Sequence, residues 1–404
     1  MLAGMMSTLA AMRIAVWTLV VGKLVGAWGL TWDIQWHLRI GRDSFWIAPH
    51  LMMYAGVTAG FVVAFGVLAL ETWRARGGRP RPGTLRVAGL VGTRGFHLAA
   101  WGVTLVLLAA PIDDVWHRLF GLDITLWSPP HLLGLLGSAV NTIGTLLAAT
   151  EAYPSWSRER WAALLLSGAL LYGGTRVVLE PAWLTAYLHG GVLFHTFALL
   201  GSLLLPIALV PGTRLLDRRW APIALVATAL AISLAGEQIA QAGFAILQPV
   251  SVIGEAIVKD PTSTIAQAAT IRTKSRGAIT PLWLRLLLPL GAAAMLSLLD
   301  VRRRAALAGA AYGVALLALY GWSMRTSPAF APLVPSAAET ALAVVIAAAA
   351  GAVGATAGRY VAGHLVGGPD MAPHTPQTFG PPRRSRGGPL SPDSPPGHTR
   401  RLTS

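Results

Sequence analysis

Two short constellations carry side chains able to do chemistry. Asp33, His37 and His50 stand in the pattern Asp-x3-His-x12-His, and Asp113, His117 and His131 stand in the pattern Asp-x3-His-x13-His. One carboxylate and two imidazoles make a three-donor set that suits copper, zinc or ferrous iron and leaves positions open for water, oxygen or substrate. The chain has no cysteine, so thiolate metal sites, disulfides and cysteine nucleophiles are excluded. Any metal here is held by nitrogen and oxygen.

The likeness extends past the ligands. Trp36 pairs with Trp116, Gly41 with Gly121, Asp43 with Asp123, Trp46 with Trp127 after one inserted residue, and Pro49 with Pro130. If the first helix of each unit continues through its motif, the aspartate and the first histidine lie four apart on one face. The glycine then ends that helix or lets the chain turn. Proline is tolerated in the first turn of the next helix, so Pro49 and Pro130 put His50 and His131 at its entrance. A hairpin of this kind aims the returning histidine at the departing pair. The competing reading is an aromatic belt in which Trp and His anchor the membrane interface. Belt residues need no fixed spacing, and these have one. Asp43, Asp123, Arg39 and Arg118 read as interfacial groups or as partners of the ligands.

The elements that position these residues follow from composition. Hydrophobic residues make up 54% of the 404-residue chain and charged ones 12%, about half the share of a soluble domain. Most of the surface must therefore face lipid. A helix of roughly 20 apolar residues crosses the hydrocarbon core. Ten such runs are expected, near 9–31, 49–71, 95–112, 130–150, 161–179, 187–211, 220–246, 281–299, 304–324 and 337–363. The first is long enough to span and is read as a helix, not a cleaved leader. The expected fold is all-α, a polytopic transmembrane helix bundle whose first four spans form a tandem hairpin repeat.

Arginine sets the orientation. Alternate connectors at 74–86, 157–160, 214–219 and 302–304 are dense in positive charge, which predicts that they face the cytoplasm together with both termini. The motif loops then face outward from the cell membrane, as do the loops at 179–187 and 247–280. The last of these carries Lys259, Arg272, Lys274 and Arg276 and departs from the rule. The net charge of +15 thus reflects membrane topology, and no nucleic-acid partner is expected. Three regions are expected: 1–150 with the duplicated two-helix units, 151–365 with further spans, and a disordered Pro/Arg-rich tail at 366–404.

The two spacings, in the same order along the chain, resemble those of the C subunit of the membrane-bound copper monooxygenases, the particulate methane and ammonia monooxygenases. The resemblance covers roughly residues 10–150. It implies that Asp33, His37 and His50 form one copper site, and that His117 and His131 form a second with Asp113 where the family has asparagine. It further implies oxidation of a small apolar substrate by dioxygen, with the first triad as the catalytic site, and A- and B-type partner subunits. This chain departs from the family in that aspartate and in its extra spans.

Other polar groups are read as follows. Glu180, His189 and His195 flank the fifth and sixth spans, and the histidines are expected to be structural or to approach the metal region. Glu237, Gln238 and Gln241 lie within the seventh span, where a carboxylate is either functional or a hydrogen-bonding group between helices. Lys23 is expected to pair with another helix. His97 and Arg176 need no special role. Three functions remain open: a monooxygenase-like metal-binding subunit, a transporter or metal-handling protein, and a structural subunit of a membrane complex.

Overall fold

The computed structural model describes residues 2–41, 44–78, 80–120, 126–276 and 281–366. Helix dominates, as it must where lipid offers backbone groups no partner outside the segment itself. The helices are α1 (Leu2–Arg39), α2 (Ala48–Arg76), α3 (Arg94–Phe120), α4 (Pro129–Ala152), α5 (Arg158–Val178), α6 (Ala182–His189), α7 (Thr196–Leu216), α8 (Ala221–Leu247), α9 (Val252–Lys259), α10 (Thr264–Arg276), α11 (Leu282–Leu298), α12 (Ala305–Thr326) and α13 (Ala337–Val366). A small antiparallel hairpin, β1 (Leu85–Val87) and β2 (Leu90–Gly92), interrupts them between α2 and α3, with Leu85 opposite Gly92.

Among the described residues, nine helices are long and apolar enough to cross a membrane. The chain is a multi-pass membrane protein built as a helical bundle. The run expected at 281–299 differs from the others. It forms the 17-residue helix α11, about 25 Å long and short of a ~30 Å hydrocarbon core. Pro281 stands at its N-cap, and its other end is closed by a Schellman turn. There Asp300 adopts left-handed backbone (φ 47), and the Val301 N–H donates to the Leu296 carbonyl at 2.9 Å. The Asp300 carboxylate then accepts from Arg302 Nε at 2.8 Å, which holds the turn.

Helices α1 and α2 form one hairpin and α3 and α4 another. Gly22 and Gly56 let the first pair cross closely: a Cβ on Gly56 would lie 2.2 Å from the Gly22 carbonyl oxygen. In the second pair, buried Asn141 of α4 donates from Nδ2 to the Ala99 carbonyl of α3 at 2.6 Å. Lys23 joins the two hairpins, as its placement predicts, by donating from Nζ to the Ser138 carbonyl at 3.0 Å. The remaining spans pack onward from α5, with α7 against α12 and α13, and α8 against α1 and α11. Tyr172, Tyr312, Leu205 and Leu209 are buried where α5, α7 and α12 meet. Helix α13 runs through Val366, and the Pro/Arg-rich segment 367–404 lies outside the described residues.

Candidate metal centre

Asp33 and His37 stand one turn apart on the last stretch of α1. The chain leaves that helix at Gly41, whose φ of +74° suits a residue without a Cβ. It re-enters helix at Ala48, with Pro49 in the first turn and His50 directly after it. The turn brings His50 back onto the acid: its Nε2 lies 3.0 Å from Asp33 Oδ1. His37 Nδ1 lies 3.4 Å from the same oxygen and 2.9 Å from the backbone carbonyl of Asp33. The two imidazole centroids are 6.3 Å apart.

The second hairpin also brings its acid and two imidazoles together. Pro111 sits inside α3 just before Asp113, and Pro129 and Pro130 open α4 just before His131. His117 Nε2 lies 3.5 Å from Asp113 Oδ2, and His131 Nε2 lies 3.4 Å from Asp113 Oδ1. The ring centroids are 6.1 Å apart. One nitrogen of each histidine and one oxygen of Asp113 all fall within 4.8 Å of one another. Two ligands each 2.0–2.1 Å from a tetrahedral ion stand about 3.3 Å apart, close to the acid–imidazole distances here. Among the described residues, Asp33, His37 and His50 do not form a group this close as they stand. All six side chains are partly buried, from 14% exposed at Asp33 to 35% at His37. Access from outside the bundle is retained.

The triads differ in how the carboxylate is shared. Asp113 turns a different oxygen to each histidine, and both histidines present Nε2. Asp33 turns Oδ1 to both, and His37 presents Nδ1, the nitrogen that also faces its own helix.

An aromatic cluster forms on the same stretch of α1 as Asp33 and His37. Trp36 stacks on Phe244 of α8 at 5.8 Å, and Trp32 meets both Trp36 and Phe244 edge-on. Trp32 and Trp36 are buried by these contacts, whereas Trp46 is largely exposed as a belt residue would be. The segment after α8 closes over the end of α1. The N–H groups of Val252 and Ile253 donate to the Ile40 carbonyl at 3.0 and 3.3 Å, and Ser251 Oγ donates to the Arg39 carbonyl. Tyr54, one turn after His50, has its ring centroid 6.0 Å from that histidine. Beside the second triad, Trp116 packs on Phe120, and Trp127 Nε1 donates to the Val178 carbonyl at 2.7 Å.

The other candidates separate from the triads. Arg118 pairs with Asp114 at 2.6 Å, and the Arg39 guanidinium lies over the Phe244 ring at 5.1 Å. Asp43, Asp123 and Gly121 lie outside the described residues. Glu180 accepts from Arg276 Nε at 2.6 Å, tying the turn between α5 and α6 to α10, and Glu237 forms an ion pair with Arg285, tying α8 to α11. His195 is buried at the start of α7, packed edge-on to Phe194 and against Gly321 of α12. Among the described residues, no group of three metal-ligating side chains includes His189 or His195. His97 Nε2 lies 3.3 Å from the Leu85 carbonyl and ties the β-hairpin to α3. Sequence reasoning missed the contribution of α8, because a phenylalanine some two hundred residues away carries no local sign of its partner.

Comparison with family models, with curated proteins and with solved structures finds no match to this chain.

Proposed function

We propose that this protein is a membrane metal-binding subunit that holds copper at its two Asp/His/His triads and serves oxidation of a small apolar substrate by dioxygen. One observation carries the reading: each of two hairpins closes so that a single carboxylate meets two imidazoles at 3.0–3.5 Å. Ionisable groups are costly near lipid and are retained there chiefly for function. A set of two nitrogens and one oxygen fits copper, zinc or ferrous iron, and copper stands highest in divalent affinity. Asp33, His37 and His50 would hold one ion, and Asp113, His117 and His131 the other. When bound, copper supplies the redox chemistry with dioxygen that side chains alone lack.

The chain's own residues do the rest. The carboxylates orient the imidazoles and supply negative charge to the cation. The Trp32, Trp36 and Phe244 cluster, beside Asp33 and His37 along α1, would offer an apolar surface that suits a substrate arriving from lipid. The arginine-rich connectors orient the protein with both termini inside and the motif hairpins on the outer face of the cell membrane. The two hairpins are read as one duplicated unit. By resemblance to the C subunits of the copper monooxygenases, A- and B-type subunits are the expected partners.

Metal content decides the central point. Purified protein is expected to carry up to two copper, zinc or iron ions per chain, and His37→Ala combined with His117→Ala to carry none. Protein without metal after growth in metal-replete medium would refute the proposal. A second reading, a metal-handling transporter, draws on the polar contacts inside the bundle at Lys23–Ser138 and Glu237–Arg285. Labelled metal uptake into proteoliposomes favours that reading, and oxygen-dependent product formation favours the first. Unchanged complex assembly and activity after double ligand replacement would mark a structural subunit.

A further inference from the structure

A groove of about 600 Å³ runs between α1 and α2, away from both triads. Its floor is the crossing of Gly22 and Gly56, where neither helix has a side chain to fill the space. It extends along α1 from Arg13 to Val25, about 18 Å at 1.5 Å per residue. Its walls are almost wholly apolar, and Arg13 and Tyr153 stand at one end. Arg13 is exposed as a residue, and its guanidinium lies over the Tyr153 ring at 5.1 Å.

That end is electropositive for a structural reason. Helix α4 finishes at Ala152 with no basic residue in its own last turn. Three arginines from separate elements converge on its final carbonyls instead. Arg13 of α1 donates from Nε to the Ala152 carbonyl at 3.2 Å, Arg81 donates to that of Glu151 at 3.4 Å, and Arg160 of α5 donates to that of Tyr153 at 3.5 Å. The negative end of the α4 dipole gathers these cations. A guanidinium has five N–H donors, and one backbone carbonyl leaves most of them unspent. The neighbouring acid Glu151 is engaged by Thr93 Oγ1 at 2.5 Å and by the Gly95 N–H at 3.0 Å, with Arg81 and Arg94 within electrostatic range. Glu159 is exposed on α5, within electrostatic range of Tyr153 at this end but forming no ion pair with Arg13. Among the described residues, Arg13, Arg81 and Arg160 form no carboxylate ion pair.

From this juxtaposition we propose that the α1–α2 groove binds one molecule of anionic phospholipid, its acyl chain along Gly22 and Gly56 and its headgroup phosphate on Arg13. An apolar channel ending at an under-neutralised cation complements a ligand that is greasy along its length and negative at one tip. A soluble anion would leave the channel empty, and a zwitterionic lipid would bring its own cation to Arg13. The inference is independent of the metal reading.

The test uses the full chain, purified in mild detergent, and phosphatidylglycerol carrying a photoactivatable group on its acyl chain. Cross-links are expected in peptides of α1 and α2 that line the groove. Unlabelled phosphatidylglycerol should compete about five-fold better than phosphatidylcholine with the same chains, the advantage one arginine confers near an anionic headgroup. Millimolar inorganic phosphate should not compete. Arg13→Gln should bring the two lipids to equal potency, and Ala55→Phe, which fills the groove from α2, should reduce labelling by either. Equal competition in the wild type, displacement by phosphate, or labelling unchanged in both variants would overturn the proposal. If Arg13→Gln fails to fold by size-exclusion profile, the wild-type competition and Ala55→Phe decide alone.

Discussion

His131 Nε2 lies 3.4 Å from Asp113 Oδ1, although the two residues belong to different helices and meet only because the α3–α4 hairpin closes. The contact joins the returning imidazole to the departing acid, and His117 completes the set on the acid's other oxygen. Removing the shared carboxylate should therefore do more than delete one donor. Asp113→Ala is expected to lower metal affinity at this triad by about 100-fold or more, since loss of a mere hydrogen-bonding partner of a ligand costs about 10–100-fold. Titration against a chelator of known affinity measures it.

The two triads should fill in sequence. At the first, both histidines share Asp33 Oδ1, and His37 Nδ1 also faces a backbone carbonyl 2.9 Å away. An ion there must compete with that helix contact or await a turn of the ring. The second triad is expected to bind about ten-fold more tightly, within the range that such hydrogen-bonding differences span. A two-phase titration should result, its tight phase lost in Asp113→Ala and its weak phase lost in Asp33→Ala. A single phase abolished by either substitution would contradict it.

Gly56→Ala tests how helix crossing sets ligand geometry. Its new Cβ would meet the Gly22 carbonyl at 2.2 Å, so α1 and α2 must separate. Overpacking of this kind costs about 1–3 kcal/mol. The change should lower thermal stability and weaken metal binding at Asp33, His37 and His50, while the α3–α4 triad keeps its affinity.

Asn141→Ala tests the second hairpin in the same way. The buried amide donates to the Ala99 carbonyl at 2.6 Å, and its loss leaves that carbonyl without the bond. A cost of about 1–3 kcal/mol is expected. The melting temperature should fall, and metal affinity should weaken at Asp113, His117 and His131 while the first triad is spared.

Arg302 predicts a pH dependence away from the spans. Its guanidinium bonds to Asp300 at 2.8 and 3.0 Å and to Asp217 at 2.7 Å, joining the connector after α7 to the one after α11. These bonds hold the Asp300 carboxyl below the ordinary carboxylate value. A depressed folded-state pKa contributes stability above the unfolded value, near 3.9, and loses it as pH falls through the folded value. Arg302→Gln should lower the melting temperature at pH 7, by an amount equivalent to about 1 kcal/mol for a pair partly open to solvent. The difference from wild type should shrink as pH drops below about 4.

Short-range features were legible in the chain. Apolar run length marked nearly every span, because lipid forces each crossing segment to satisfy its backbone within one helix. Asp33 with His37, and Asp113 with His117, follow from four-residue helical spacing. Helix α11 fills nearly the whole run expected at 281–299, but Pro281 at its entrance and the Asp300 turn at its exit bound a run too short to cross the hydrocarbon core alone. Trp32 and Trp36, which fit an interfacial belt by type, are instead packed against Phe244.

Residue order alone determined that this is a greasy, cysteine-free bundle with an acid and two imidazoles recurring at two hairpin tips. It could do so because helical period, proline and glycine positions and span length are properties of neighbouring residues. Tertiary structure decided how those groups meet: which oxygen of each aspartate faces which nitrogen, which distant aromatic packs on Trp32 and Trp36, and where three arginines converge. Those outcomes depend on how closely α1 crosses α2 and α3 packs on α4. Contacts between helices distant in sequence set that closeness, and no local pattern encodes them.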